Sequence, residues 1–172
     1  MTMNRFLRTM FGGIAAVAVA ALSANSMAAN ESENHERASS TSDDIERGRY
    51  VVKIAGCNDC HTENYALKAG AVNESQWLTG SSVGWQGPWG TTYPSNLRRL
   101  MQDLTEEQWL HHARQPTRPP MPWFALRDMS DEDLTAIYRF VRSLGPGGSP
   151  APAFEPPQQP STATTVTRWR AE

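Results

Sequence analysis

Cys57-Asn58-Asp59-Cys60-His61 is the feature that most constrains this chain. Two thiols three positions apart, followed directly by an imidazole, have few chemical uses. Two intervening residues turn the backbone enough to bring both sulfurs to one edge of a flat ring. There they can add across the two vinyl groups of a porphyrin. The adjacent histidine then falls under the iron as its proximal ligand. The spacing therefore predicts one covalently held haem c, attached through Cys57 and Cys60 and ligated by His61.

The competing uses of the motif are a structural disulfide, a redox dithiol and a zinc site. The chain has only two cysteines, too few for a disulfide-built scaffold or for a second zinc-binding pair. A thioredoxin-like dithiol calls for a β-α-β context, and the surrounding sequence reads as helical. Sixteen basic and eighteen acidic side chains leave no excess of the kind that nucleic-acid binding requires.

Both ends of the chain read as lying outside the domain. Arg5 and Arg8 precede the apolar run Ile14 to Leu22, and Ser26-Met27-Ala28 and Met27-Ala28-Ala29 offer small-residue cleavage sites. Residues 1–29 are expected to be a signal peptide, which predicts export to the periplasm. A retained segment would instead anchor the chain to a membrane. Cleavage would take two of the sixteen basic residues and no acid, leaving 14 basic against 18 acidic side chains and a formal net charge of −4. That balance suits a partner with a basic docking patch. Residues 30–41 are polar and read as a flexible leader. From Pro146 the chain holds six of its twelve prolines, and 146–172 reads as a disordered or extended tail.

The foldable region is 42–145. A helix is expected from Ser42 or Asp43 to Gly56, with Ile45, Tyr50, Val51 and Ile54 on one face and Gly48 marking a close helix contact. His61 to Thr92 reads as a long loop that needs something to wrap. Thr105 to Gln115 carries a capping box (Thr105, Gln108) and a hydrophobic staple (Leu104, Trp109), and Pro116 stops it. Arg118 to Pro122 should be stiff and extended. The last helix is capped by Ser130, shows the stripe Leu134, Ile137, Tyr138, Val141 and Leu144, and ends at Gly145. The expected class is all-α, with at least three helices around the haem and no convincing strand.

Met121, inside Pro119-Pro120-Met121-Pro122, is the leading candidate for the sixth iron ligand, because flanking prolines lower the entropy cost of holding a thioether on iron. A gap-filling core methionine is the plain alternative. Met129, Met101, His111 and His112 compete with it. Trp77, Trp85, Trp89 and Trp123 are candidates for an apolar haem wall, or for ordinary core packing. Arg98 and Arg99 are read as propionate partners or as solvated side chains.

The stretches DDIERGRYVVKIAGCNDCHT, GPWGTTYPSNL, LTEEQWLHHAR, PPMPW and MSDEDLTAIYRFVRSLGP together resemble class I cytochrome c domains, most of all those in cytochrome c subunits of bacterial membrane-bound alcohol and aldehyde dehydrogenases. The resemblance implies a cytochrome c fold, first and last helices crossing near Gly48 and Tyr138, and His61 and Met121 as axial ligands. It implies an electron carrier rather than an enzyme. Its partners would be a redox donor and acceptor such as a dehydrogenase or terminal oxidase. The other functions weighed are a haem subunit of a larger periplasmic dehydrogenase and a haem protein with an open sixth position. Such domains usually accept the proximal histidine's hydrogen bond on a proline carbonyl in the following loop. No proline lies between His61 and Trp85, so that acceptor is unassigned here. The family's tyrosine-serine-proline-asparagine order appears as Tyr93-Pro94-Ser95-Asn96, leaving Asn96 without a secure propionate role.

Overall fold

The structure is a computed structural model describing residues 38–157. The predicted signal at 1–29, most of the predicted leader and the end of the predicted tail lie outside the described residues. The chain divides into two units, Met1–Ser42 and Asp43–Glu172. Of the first, residues 38–42 are described and are helical, with the Ser42 hydroxyl donating to the Ser39 carbonyl at 2.8 Å. Helical backbone is therefore present upstream of the expected start, because this serine bonds backwards within a turn instead of capping a new helix.

In the second unit, helix α1 covers 43–54 and α2 is Cys57–His61. A short 3₁₀ turn, Glu74–Gln76, leads to strands β1 (Trp85–Gly87) and β2 (Gly90–Thr92). Then come α3 (Leu97–Asp103), α4 (Glu106–Ala113), α5 (Trp123–Asp128) and α6 (Asp131–Ser143). The all-α expectation holds, with one addition. β1 and β2 form an antiparallel hairpin pairing Trp85 with Thr92 and Gly87 with Gly90. Three residues per strand are too few for alternation to show in a sequence.

The core lies where α6 meets α1, α3 and α4. Phe140, Leu134, Val141, Val52, Leu78 and Met101 are fully buried in it. Gly48 sets the approach of α1 to α6. A Cβ there would run into the Ala136 carbonyl and lie 2.7 Å from Phe140 Cβ, so only glycine lets the two backbones come this close. This contact also chooses the buried face. Gly48, Val51 and Val52, three and four residues apart, turn inward. Tyr50 and Ile54, expected on that face, are 62% and 64% exposed. The crossing partners are Ala136 and Phe140. Tyr138 instead donates its hydroxyl to the Leu104 carbonyl at 2.9 Å. Arg139 bridges Asp44 of α1 and Glu106 of α4, and Arg47 meets Asp133 at 2.8 Å.

The capping box on α4 is present in full, and α6 is capped by Ser130 as expected. Arg98 corrects the sequence reading. It is buried, and its guanidinium donates to the carbonyls of Gly145 at 2.7 Å, Ser75 at 2.7 Å, Pro146 at 3.3 Å and Leu144. It satisfies main-chain acceptors left open where α6 ends. Arg99 is exposed, in line with its solvated reading.

Candidate functional site

Gly56 ends α1 in the left-handed conformation (φ +71°), and α2 begins at the next residue. The one-turn helix Cys57–His61 then presents Cys57, Cys60 and His61 to a single cavity of about 1020 Å³. That volume is of cofactor size. Met121, Trp123 and Leu126 border the same cavity, as do Trp109 and Ile137. Loop, hairpin and helix residues therefore enclose one apolar space beside the Cys-x-x-Cys-His turn.

The His61 imidazole is buried, and its Nδ1 lies 2.7 Å from the Ser95 carbonyl oxygen. A carbonyl can only accept, so Nδ1 carries the proton and Nε2 is left as a lone-pair donor. Burial holds the imidazole pKa below its ordinary value, which keeps the ring neutral, and the Ser95 bond opposes this in part. Ser95 thus supplies the acceptor that the loop after His61, lacking proline, did not reveal. Asn96 reinforces it. Its Oδ1 caps α3 by accepting from Arg99 N–H at 3.0 Å, and its Nδ2 donates to the carbonyls of Gly147 and Ser149 at 2.8 and 3.0 Å. Those bonds commit Asn96 to main chain.

Two further residues support the motif without any sequence signal. Asn58, fully buried inside it, accepts from the Thr62 hydroxyl at 2.6 Å, and that hydroxyl accepts from Leu78 N–H at 2.8 Å. Leu78 is buried at φ +60°, and its carbonyl accepts from Leu97 N–H at 3.0 Å. This chain of bonds ties α2 to the start of α3.

The cysteines are free and half-buried. Burial pushes the Cys57 thiol up to about 11 and raises Cys60 as well. Such thiols hold little thiolate at neutral pH, the opposite of what dithiol exchange needs. Among the described residues no three His, Cys, Asp or Glu side chains converge to hold a metal ion. The cavity, the thiol pair at its edge and the imidazole with its free Nε2 fit a covalently attached haem.

The cavity also sorts the other candidates. Met121, Met129 and His112 line it; Met101 is buried in the core, and His111 is exposed away from it. Met129 packs against the hydrophobic core, whereas Met121 does not. The segment around Met121 is not extended throughout, since Pro119-Pro120 is a cis-peptide turn leading to α5. Of the tryptophans, Trp85 and Trp123 border the cavity as proposed. Trp77 belongs to the core, edge-on to Tyr65 and Phe140, and Trp89 lies over Gly87 and donates to the Thr92 hydroxyl at 3.0 Å. Trp109 is the wall residue the sequence reading missed, its staple position having drawn attention first. It is buried and donates from Nε1 to the Leu134 carbonyl at 2.8 Å.

The chain is 25% identical over 138 residues to the fructose dehydrogenase cytochrome subunit of Gluconobacter japonicus, covering 73% of this chain and 26% of that protein. The chain thus spans about a quarter of that relative's length. No solved structure matches significantly. The family profile for cytochrome c matches residues 45–145, well over half of the chain. The chain belongs to the cytochrome c family, binds haem c and is an electron-transfer protein.

Proposed function

We propose that Cys57 and Cys60 form the two thioether bonds to the haem, that His61 Nε2 and the Met121 thioether are its axial ligands, and that the chain passes single electrons between exported redox partners. The observation that carries this reading is the shared cavity. Cys57, Cys60, His61 and Met121 all border it, and the Ser95 carbonyl leaves only Nε2 of His61 free to bind iron. When bound, the haem supplies the ferrous/ferric couple. The protein's part is to hold and shelter it. Trp85, Trp109 and Trp123 give the cavity apolar walls that limit water, and the Ser95 bond orients His61 and increases its basicity. The neutral Met121 thioether would favour ferrous iron and raise the potential of the bound haem.

The partner reading starts from the Gluconobacter japonicus relative, a cytochrome subunit of a dehydrogenase. A dehydrogenase is the proposed electron donor, either docked in passing or joined to this chain as a complex. The signal-like segment at 1–29 supports a periplasmic location, with membrane attachment only if that segment is retained. Among the described residues no helix is long and apolar enough to cross a membrane. Recovery of the chain from native membranes with a dehydrogenase would support the subunit form.

An optical spectrum of the mature protein, made with haem c maturation machinery, tests the site. The expected result is a narrow low-spin reduced spectrum and a weak red-end charge-transfer band in the oxidised form that Met121→Ala abolishes. A red-end band untouched by Met121→Ala moves the ligand to Met129, and a low-spin spectrum that lacks this band moves it to His112. A high-spin spectrum favours an open sixth position. Absence of haem returns Cys57 and Cys60 to thiol chemistry.

A further inference from the structure

Residues 146–157 were expected to be a disordered or extended tail; they form no helix, bend at Pro146 and Gly148, and bridge to Thr91 at Glu155. They are also fastened at both ends. Near α6, Asn96 and Arg98 hold the carbonyls of Pro146, Gly147 and Ser149. At the far end, Thr91 N–H donates to the Glu155 carbonyl at 2.8 Å and Glu155 N–H returns a bond to the Thr91 carbonyl at 3.0 Å. The Tyr93 hydroxyl donates to Glu155 Oε1 at 2.8 Å, and the Arg118 guanidinium stacks over the Phe154 ring, 4.0 Å from its centre. Gly90 makes room for this strap. It is buried at φ +104°, and a Cβ there would run into the Glu155 carbonyl and come within 3.1 Å of Phe154 Cε2.

The strap's contacts converge on the part of the cavity that carries Met121. Arg118 opens the segment that runs through Pro119 and Pro120 to Met121, and all four border the cavity. Thr92, next to the strap's partner Thr91, donates its hydroxyl to the Pro119 carbonyl. The strap therefore grips this segment directly through Arg118 and indirectly through β2. A neutral thioether is a weak ligand, so its occupancy of iron depends on how firmly the surrounding chain is held.

We propose that Phe154 and the Glu155 bridge are positioning residues for Met121: the strap clamps the Arg118–Met121 segment closed and keeps the sixth position of the iron filled. This rests on the reading of Met121 as the sixth ligand. Phe154 touches neither ligand; it acts through Arg118.

The test uses the full-length, haem-loaded protein in its ferric form, titrated with imidazole, which competes for the sixth position only when the segment opens. Apparent affinity scales with the open fraction. Phe154→Ala removes the stack, and Gly90→Ala pushes the bridge away. In each, imidazole is expected to bind about two- to fivefold more tightly, which for Phe154→Ala is the factor that loss of one exposed cation–π contact supplies. Phe154→Trp keeps an aromatic face and is expected to bind imidazole as the parent does. Lower melting temperatures with parent-like imidazole affinity in both Phe154→Ala and Gly90→Ala would make the strap merely structural and overturn the inference. The red-end band in Met121→Ala separates the two ideas. If that variant keeps the band, the ligand reading falls and the inference with it. If it loses the band while the strap variants bind imidazole normally, only the inference falls.

Discussion

The imidazole Nδ1 of His61 donates to the Ser95 carbonyl across 34 positions of sequence, at 2.7 Å. The next residue, Asn96, fixes that carbonyl by capping α3 and by holding Gly147 and Ser149. Asn96→Ala removes a cap and two hydrogen bonds, and the expected loss of stability is about 2 kcal/mol. With the carbonyl less firmly held, His61 becomes a less basic ligand, ferric iron loses support, and the midpoint potential rises. Thermal unfolding and a redox titration of the haem-loaded variant check both effects. An unchanged potential would mean that the Ser95 carbonyl keeps its position without Asn96.

Gly48→Ala sets two effects against each other. Alanine improves helix propensity by about 1 kcal/mol. Its methyl, however, must displace the Ala136 backbone, which cannot yield as a flexible side chain would. Overpacking of this kind costs about 1–3 kcal/mol, and more against main chain, so the net expectation is destabilisation by about 2 kcal/mol. Denaturant unfolding of haem-loaded protein measures it. A variant as stable as the parent would show that α1 and α6 do not meet at this glycine.

The sequence exposes those parts of the fold whose cause is local. The Cys57–His61 spacing, the Thr105–Gln108 capping box and the Ser130 cap are each written within a few residues, and the structure contains all three local arrangements. What escaped depends on contacts between distant segments. The buried face of α1 is chosen by Ala136 and Phe140, so periodicity alone selected Tyr50 and Ile54 wrongly. Phe140, the largest fully buried side chain among the described residues, lies beside the stripe read from α6. The acceptor for His61 and the burial of Arg98 involve carbonyls, which every residue carries and no side-chain pattern marks. The α3 helix does carry a local signal, Asn96 as N-cap followed by Leu97, Leu100 and Met101 at helical spacing.

Arg98 supplies a third prediction. Its fork reaches four carbonyls, and three of them follow one another at the end of α6. Arg98→Ala leaves these acceptors to whatever water can enter, and the expected loss is about 3 kcal/mol. Arg98→Lys is expected to recover less than half of that, since an ammonium on a flexible stem cannot reproduce the planar fork. Equal stability of the lysine variant and the parent would show that charge, not fork geometry, is what this site needs.

The thiols give a prediction that depends on pH. In the fold, burial raises the Cys57 pKa from 9.0 to about 11, with the Asp59 and Cys60 charges adding to it. A raised acid pKa means that the folded chain holds this proton more tightly than the unfolded chain does. The resulting stability is fully present below pH 9 and is lost as pH rises from 9 towards 11. The same shift governs reactivity, because the thiolate is the nucleophile. In haem-free protein, Cys57 alkylation is expected to be slow at pH 8 and to climb with a midpoint near 11. Rates followed by mass spectrometry, with Cys60→Ser to isolate the signal, measure this. An ordinary midpoint near 9 would show that the pocket around Cys57 closes only once haem is attached.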